Sequence, residues 1–187
     1  MINPFFKNKG PIKIDDILIS ANISNKYNYV ETNILDIKDL VTASNTDITF
    51  FHSKKYEAVA SITKAAYCLT TKQLSSILPK NCKPIEVDNV LISTAMITKI
   101  FYPDSVTDDF DPQTENIEKT ILHKTVKHGQ NVLVGKNVKI GLNSSIGHNS
   151  IIESNVIIGD NCSIGSNVIV RNTLIKNNVY ILDGCVI

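Results

Sequence analysis

The chain has almost no net charge. Its 19 basic and 18 acidic residues leave a balance of +1 over 187 residues, which provides no electrostatic footprint for nucleic acid or for an anionic membrane surface. Long hydrophobic runs are missing too. No segment approaches the roughly 20 apolar residues that a membrane span needs, and Met1 to Gly10 holds no long apolar stretch before Lys7. The four cysteines, Cys68, Cys82, Cys162 and Cys185, stand far apart with no CxxC spacing and no neighbouring histidine pair. A disulfide framework and a zinc site are therefore not expected, and nothing implies another metal or a cofactor. These absences suit a protein of the reducing cytoplasm, while 43% hydrophobic and 20% charged residues are ordinary for one large or two small globular domains.

What the sequence does contain is a six-residue period from about Asn131 to Ile187. Aliphatic residues recur at Val134, Ile140, Ile146, Ile152, Ile158, Ile164 and Val170, and asparagines at Asn131, Asn137, Asn143, Asn149, Asn155, Asn161 and Asn167. A third register holds small or β-branched residues (Val132, Val138, Ser144, Ser150, Val156, Cys162, Val168), and a fourth holds Gly135, Gly141, Gly147, Gly159 and Gly165. Six matches neither 3.6 nor 7, so no helical face or coiled-coil seam can collect these aliphatics. In a strand, the aliphatic residue and the small one two before it both face inward. Asn and Gly both tolerate the left-handed backbone of a tight corner, and a corner every six residues bends the chain into a stacked parallel β-helix. Ile140, Ile146, Ile152, Ile158 and Ile164 should then point into its core. Glu153 and Arg171 occupy the glycine register, which predicts looser, solvent-facing corners. After Val170 the next aliphatic in phase is Ile175, so one residue is dropped before the repeat resumes at Ile181 and Ile187.

Residues 1 to 101 lack this period and alternate short apolar runs with helical pieces, the pattern of a separate α/β module. Helices are expected over Asp15–Ser20, Lys55–Lys64, Lys72–Leu78 and Val90–Phe101. Strands are expected over Asn33–Ile37, Asp47–Phe51, Ala65–Thr70 and Pro84–Val87. Residues 102 to 116 are acidic and polar with Pro103 and Pro112, the composition of a linker. Residues 117 to 187 form the β-helix.

The most informative stretch of the first module is Asp47-Ile48-Thr49-Phe50-Phe51-His52-Ser53-Lys54-Lys55-Tyr56, a strand that ends in paired aromatics, a basic loop and a tyrosine. Phe50 and Tyr56 across such a turn can close on the two faces of a planar base, with Ser53 at its edge. On composition alone the favoured reading is that Phe50 or Phe51 is a core residue, Tyr56 covers the sheet and the lysines are solvated. Residue chemistry by itself leaves both readings open.

The order of motifs over nearly the whole chain resembles the UDP-3-O-(3-hydroxyacyl)glucosamine N-acyltransferases of lipid A biosynthesis. The resemblance is carried by Leu40, Ala43, Asp47-Ile48-Thr49-Phe50-Phe51 and Tyr56, then Thr63-Lys64-Ala65 and Val87-Asp88-Asn89, with the hexapeptide region following in order. It implies a left-handed β-helix behind an α/β uridine-binding domain, with Phe50, Ser53 and Tyr56 holding uracil. Ser53 stands where the family has an asparagine, Val90 where it often has proline and Thr46 where it often has glycine. The implied reaction moves a 3-hydroxyacyl group from acyl carrier protein to the 2-amine of UDP-3-O-acylglucosamine, in a homotrimer.

The family's general base is a histidine. None of His52, His123, His128 and His148 matches its motif, which in that family lies farther along the β-helix. The resemblance therefore implies a chain cut off before the catalytic segment and without transferase activity alone. A non-catalytic UDP-sugar-binding or trimerising scaffold is the alternative from another functional class.

Overall fold

The computed structural model describes residues 4–24, 32–106 and 109–187. The chain divides into two compact units, residues 6–107 and residues 108–187 joined by residues 1–5.

The first unit is built on four parallel strands in the order β1 (Asp36–Ile37), β2 (Asp47–Phe51), β3 (Tyr67–Thr70) and β4 (Lys83–Glu86). Asp36 lies opposite Asp47, Ile48 opposite Tyr67, and Tyr67 opposite Lys83. Every residue of β3 is buried, as a central parallel strand with both faces covered should be. One face packs against helix α1 (Ile14–Ser20), through Ile14, Ile17 and Leu18, and against α2 (Val90–Phe101), through Val90, Ile97 and Phe101. Both helices owe this to apolar residues spaced three and four apart. The Asn89 side chain caps α2 by accepting from the Ile92 N–H at 3.1 Å. Ala43, Phe51, Ala60, Ala65, Cys68 and Cys82 fill the other face. Pro84 sits on the edge strand, where a missing donor is tolerated.

The expected helix over Lys55–Lys64 shrinks to a 3-10 turn, Lys54–Tyr56, and one α turn, Glu57–Ala60. The expected strand over Asn33–Ile37 divides into Asn33–Ile34, paired antiparallel with Ile12–Lys13, and β1. The helix over Lys72–Leu78 is reduced to a 3-10 turn, Ser75–Ile77.

The second unit is the left-handed β-helix. Its two-residue strands stack in three parallel sheets. Ser145 lies between Lys127 and Ser163, Ile151 between Leu133 and Ile169, and Ile157 between Lys139 and Leu174. Val134, Ile146, Ile152, Ile158, Ile164 and Val170 are buried in a single core with Val132, Val156, Cys162 and Val168. Ile140 packs against that core but is only half-buried, because its strand has a rung on one side alone. Ser144 and Ser150 are also buried. Ser144 donates to the Gly159 carbonyl at 2.8 Å and accepts from the Cys162 N–H at 2.9 Å, and Ser150 repeats this with Gly165 and Val168. Two bonds satisfy each hydroxyl, so serine replaces valine in the inner column without an orphaned polar group.

The corners correct one sequence expectation. The seven asparagines of the register, together with Asn172 and Asn178, take φ between 49° and 65°. Among the described glycines only Gly184 has a positive φ, of 75°. The remaining repeat glycines are needed for close approach: a Cβ on Gly147 would lie 2.4 Å from the Ser166 nitrogen and 2.5 Å from the Gly165 carbonyl carbon. The residue after the glycine then caps the corner of the coil before. His148 Nδ1 accepts from the Gln130 N–H at 2.9 Å, Ser154 from Lys136 at 2.9 Å and Asp160 from Leu142 at 2.7 Å, each 18 residues back.

Where the repeat drops a residue, the spacing becomes 17, as in Asn177 capping Asp160. The residue that should cap Ser154 is the one dropped. Asp111, in the stretch whose composition reads as a linker, accepts from the Ser154 N–H at 2.7 Å instead, and Glu115–Asn116 adds an antiparallel strand beside Leu133–Val134. Glu153 and Arg171 do not face solvent freely, contrary to expectation. Arg171 Nε lies 3.6 Å from Glu153 Oε1 across one coil, with the carboxylate side chain only 15% exposed.

Candidate functional site

The site expected at Phe50, Ser53 and Tyr56 grows from the way β2 is anchored. Asp47, at its start, is fully buried, and its Oδ2 accepts from Lys38 Nζ at 3.0 Å, the Ser44 N–H at 2.8 Å and the Ser44 hydroxyl at 2.6 Å. Burial opposes its ionisation, but the Ser44 bonds and the Lys38 ammonium outweigh that and hold its carboxyl below the ordinary range. Thr63 closes the other side by donating to the Leu40 carbonyl at 2.9 Å. Ala43, Asp47, Ile48, Thr49, Phe51, Thr63 and Ala65 are all buried, so half of the residues that carry the family resemblance shape the platform. Phe50 and the loop beyond it reach the surface.

Alternation along β2 decides the division of labour. Phe51 packs into the core on one face, whereas Phe50 is half-buried against the helix-side core on the other. Ser53 caps the 3-10 turn: its Oγ accepts from the Lys55 N–H at 3.4 Å, and its carbonyl accepts from the Tyr56 N–H at 3.0 Å. This turn brings Tyr56 back toward the strand end with the residue 42% exposed. Lys55 Nζ lies 5.9 Å from the centre of the tyrosine ring, within cation–π range. The loop stands at the carboxyl edge of a parallel sheet, where open α/β sheets bind ligands.

The structure adds a residue absent from the base-stacking expectation. The His52 imidazole contacts both aromatics, with its centre 6.4 Å from Phe50 at 27° and 5.6 Å from Tyr56 at 49°. The signal was present in the sequence, since residues 50 and 52 share a side in extended backbone. Along the same sheet edge, beyond β4, a cavity of about 280 Å³ is lined by Asn22, Glu86, Asp88, Asn89, Ile92 and Met96 among others. It holds none of the expected uracil residues.

The other histidines lie on exposed parts of the β-helix. His123 Nδ1 is 2.9 Å from Thr125 Oγ1, His128 Nδ1 is 3.0 Å from the Gly129 carbonyl, and His148 is the corner cap of the Gln130 N–H. No group of three or more metal-ligating side chains is assembled among the described residues. No helix of the described residues is long and apolar enough to cross a membrane.

Comparison with known proteins separates the two units in the same way. Residues 31–100 match the family model of UDP-3-O-(3-hydroxymyristoyl) glucosamine N-acyltransferase, and residues 137–172 match the bacterial transferase hexapeptide model of six repeats. The chain is 32% identical over 100 residues to the UDP-3-O-acylglucosamine N-acyltransferase of Rickettsia prowazekii (strain Madrid E) and 31% identical to that of Rickettsia canadensis (strain McKiel). Each match covers 52% of this chain but 29% of the relative, so the likeness spans less than a third of those enzymes. Half of the chain is thus similar to the UDP-3-O-acylglucosamine N-acyltransferases, through a stretch that matches their family model, and the hexapeptide match lies in the left-handed β-helix.

Proposed function

We propose that this chain supplies the uridine-nucleotide-binding domain and β-helical coils of a cytoplasmic N-acyltransferase of lipid A biosynthesis. Its substrate would be UDP-3-O-acylglucosamine, and the acyl donor a 3-hydroxyacyl group on acyl carrier protein. In that reaction the 2-amine attacks the thioester carbonyl, a C–N bond replaces the C–S bond, and a base removes the amine proton. The chain's part is to hold the nucleotide: Phe50 and Tyr56 stack on uracil, and the Ser53 hydroxyl, an acceptor for the Lys55 N–H, still has its proton to donate to a base edge. Lys54 and Lys55 bring positive charge to this loop, a sign that suits a diphosphate.

The observation that carries this reading is the family-domain match over residues 31–100 together with an aromatic, basic loop at the sheet edge. Calorimetry with UDP and ADP tests it. UDP should bind more tightly than ADP, and the Phe50→Ala, Tyr56→Ala double variant should lose that binding; equal binding of UDP by both proteins would remove the proposal.

None of the four histidines matches the family's catalytic motif, so we propose no turnover by this chain alone. Acyl transfer from hydroxyacyl carrier protein at a rate comparable to that of a chain extended through the family's catalytic segment would contradict it. Assembly as a homotrimer is proposed from the outward, half-buried column Leu133, Ile151 and Ile169 on one face of the β-helix. A stable monomer at micromolar concentration in ultracentrifugation would count against it.

A further inference from the structure

We propose that His52 plugs the base slot in the free protein and sets how tightly that slot takes a uridine nucleotide. This rests on the uridine reading of Phe50 and Tyr56. A base stacked on both rings must touch both, and in the free chain the His52 imidazole already does, with centres 6.4 Å from Phe50 and 5.6 Å from Tyr56. Those distances lie within the range of attractive ring pairs. The ring is exposed and hangs from a residue directly after β2, so rotation about its side chain takes it out without disturbing the strand.

Binding is therefore an exchange, with the imidazole leaving as the base enters. The contacts that His52 makes with the two rings are subtracted from what the base gains. Ring size at position 52 then orders affinity in a direction opposite to that of a residue that helps hold the base. A third stacking partner would weaken binding when truncated; a plug strengthens it.

Calorimetry with UDP on the 187-residue chain and on His52→Ala and His52→Phe separates the possibilities. His52→Ala should tighten UDP binding roughly three- to tenfold, as expected from removing two weak ring contacts, and His52→Phe should weaken it. An unchanged or weaker affinity in His52→Ala overturns the plug and leaves the uridine reading standing. Retained UDP binding in the Phe50→Ala, Tyr56→Ala variant sinks the uridine reading instead, and binding by none of these proteins sinks both. A second readout needs no change in affinity. The His52 ring protons should be shifted upfield by the flanking aromatics in the free chain, and should move back toward ordinary values both in the double variant and on saturation with UDP. Ring protons that ignore UDP while UDP binds would place the imidazole outside the slot.

Discussion

In the β-helix each rung meets the rung 18 residues away, as Ser145 meets Lys127 and Ser163, and this step holds until one residue is dropped after Val170. In the α/β unit the partners of Asp47, Tyr67 and Lys83 lie at unequal intervals set by a turn, a helix or a loop. A constant step means that position in the sequence already states position in the core, because each repeat contacts only its neighbours. The α/β unit has no such rule, and its candidate site sits in an irregular turn that the sheet merely presents. Regularity carries the scaffold, and departure from it carries the chemistry.

The largest effect that can test this comparison concerns two glycines of the β-helix. Gly147 lacks a positive φ but leaves no room for a side chain, whereas Gly184 has a φ of 75° and nothing within 4 Å of the point a Cβ would occupy. Gly147→Ala should cost about 3 kcal/mol, the upper part of the overpacking range, since the obstructing atoms are backbone. Gly184→Ala should cost about 1 kcal/mol for placing an L side chain in the left-handed region. Urea denaturation measures both, and a reversed order would restore the corner-conformation explanation of the glycine register.

In the α/β unit the matching test is Asp47, whose carboxylate ties β1 and β2 to the Ser44 turn. Asp47→Asn should cost about 2 kcal/mol, the scale of charge-assisted hydrogen bonds. Because the folded protein holds this carboxyl below its ordinary value of 3.8, the contribution is present above that pH. It is lost as pH falls through the lower folded value. The gap between wild type and variant should therefore close in acid; a gap that stays constant would mean that packing, not charge, holds the turn.

These two regions also show what was legible in advance. The inward column Ile146, Ile152, Ile158 and Ile164 could be read directly, because burial there depends only on phase. The glycine register was legible as a pattern and misread as a cause, since close approach between coils is a property of stacking that a single coil does not reveal. Asp111 was illegible for a related reason: its partner Ser154 becomes uncapped only because a residue is missing one coil later. In the α/β unit, β2 and α2 are legible to the residue from their apolar runs. The length of the helix after Ser53 is not, since Ala60 is buried and Thr63 bonds to the distant Leu40 carbonyl, contacts that the local sequence does not state. His52 was seen as part of the loop, but its contact with both rings depends on how the 3-10 turn returns Tyr56.

A smaller effect separates two neighbouring carboxylates. Burial works against ionisation of Asp111, but its bonds from Ser154 and the Gln113 N–H prevail and lower its pKa. For Glu153 burial prevails over the Arg171 guanidinium, and Asp111 adds to it, so its pKa is raised from 4.5. Asp111→Ala should cost about 1–1.5 kcal/mol at neutral pH, for the Ser154 bond and the more exposed Gln113 bond together, and the cost should fade below pH 3.8, the unperturbed value. Ionised Glu153 instead opposes folding above its raised value and ceases to do so as pH falls through it. Glu153→Gln should thus be neutral or stabilising by no more than about 1 kcal/mol at pH 7, and clear destabilisation there would mean that the Arg171 pair outweighs the burial.

The smallest effect concerns why the corner residue is asparagine. Asn155 has a φ of 65° and its side-chain oxygen accepts from Asn137 Nδ2 at 3.1 Å, so both backbone tolerance and the amide ladder are available explanations. The ladder bond is lost equally in Asn155→Gly and Asn155→Ala. The left-handed corner, however, accepts glycine freely and penalises alanine by roughly 1–2 kcal/mol, partly offset by glycine's greater entropy loss on folding, about 0.5–1 kcal/mol. Backbone tolerance therefore predicts that alanine is worse than glycine by about 0.5–1 kcal/mol, the difference between those two terms. The ladder predicts two equal losses. Asn155→Asp, which keeps an acceptor for Asn137 and a side chain suited to this corner, should lie nearest to wild type. Thermal unfolding of the three variants resolves them, and glycine and alanine falling together would transfer the explanation of the asparagine register from the corner to the ladder.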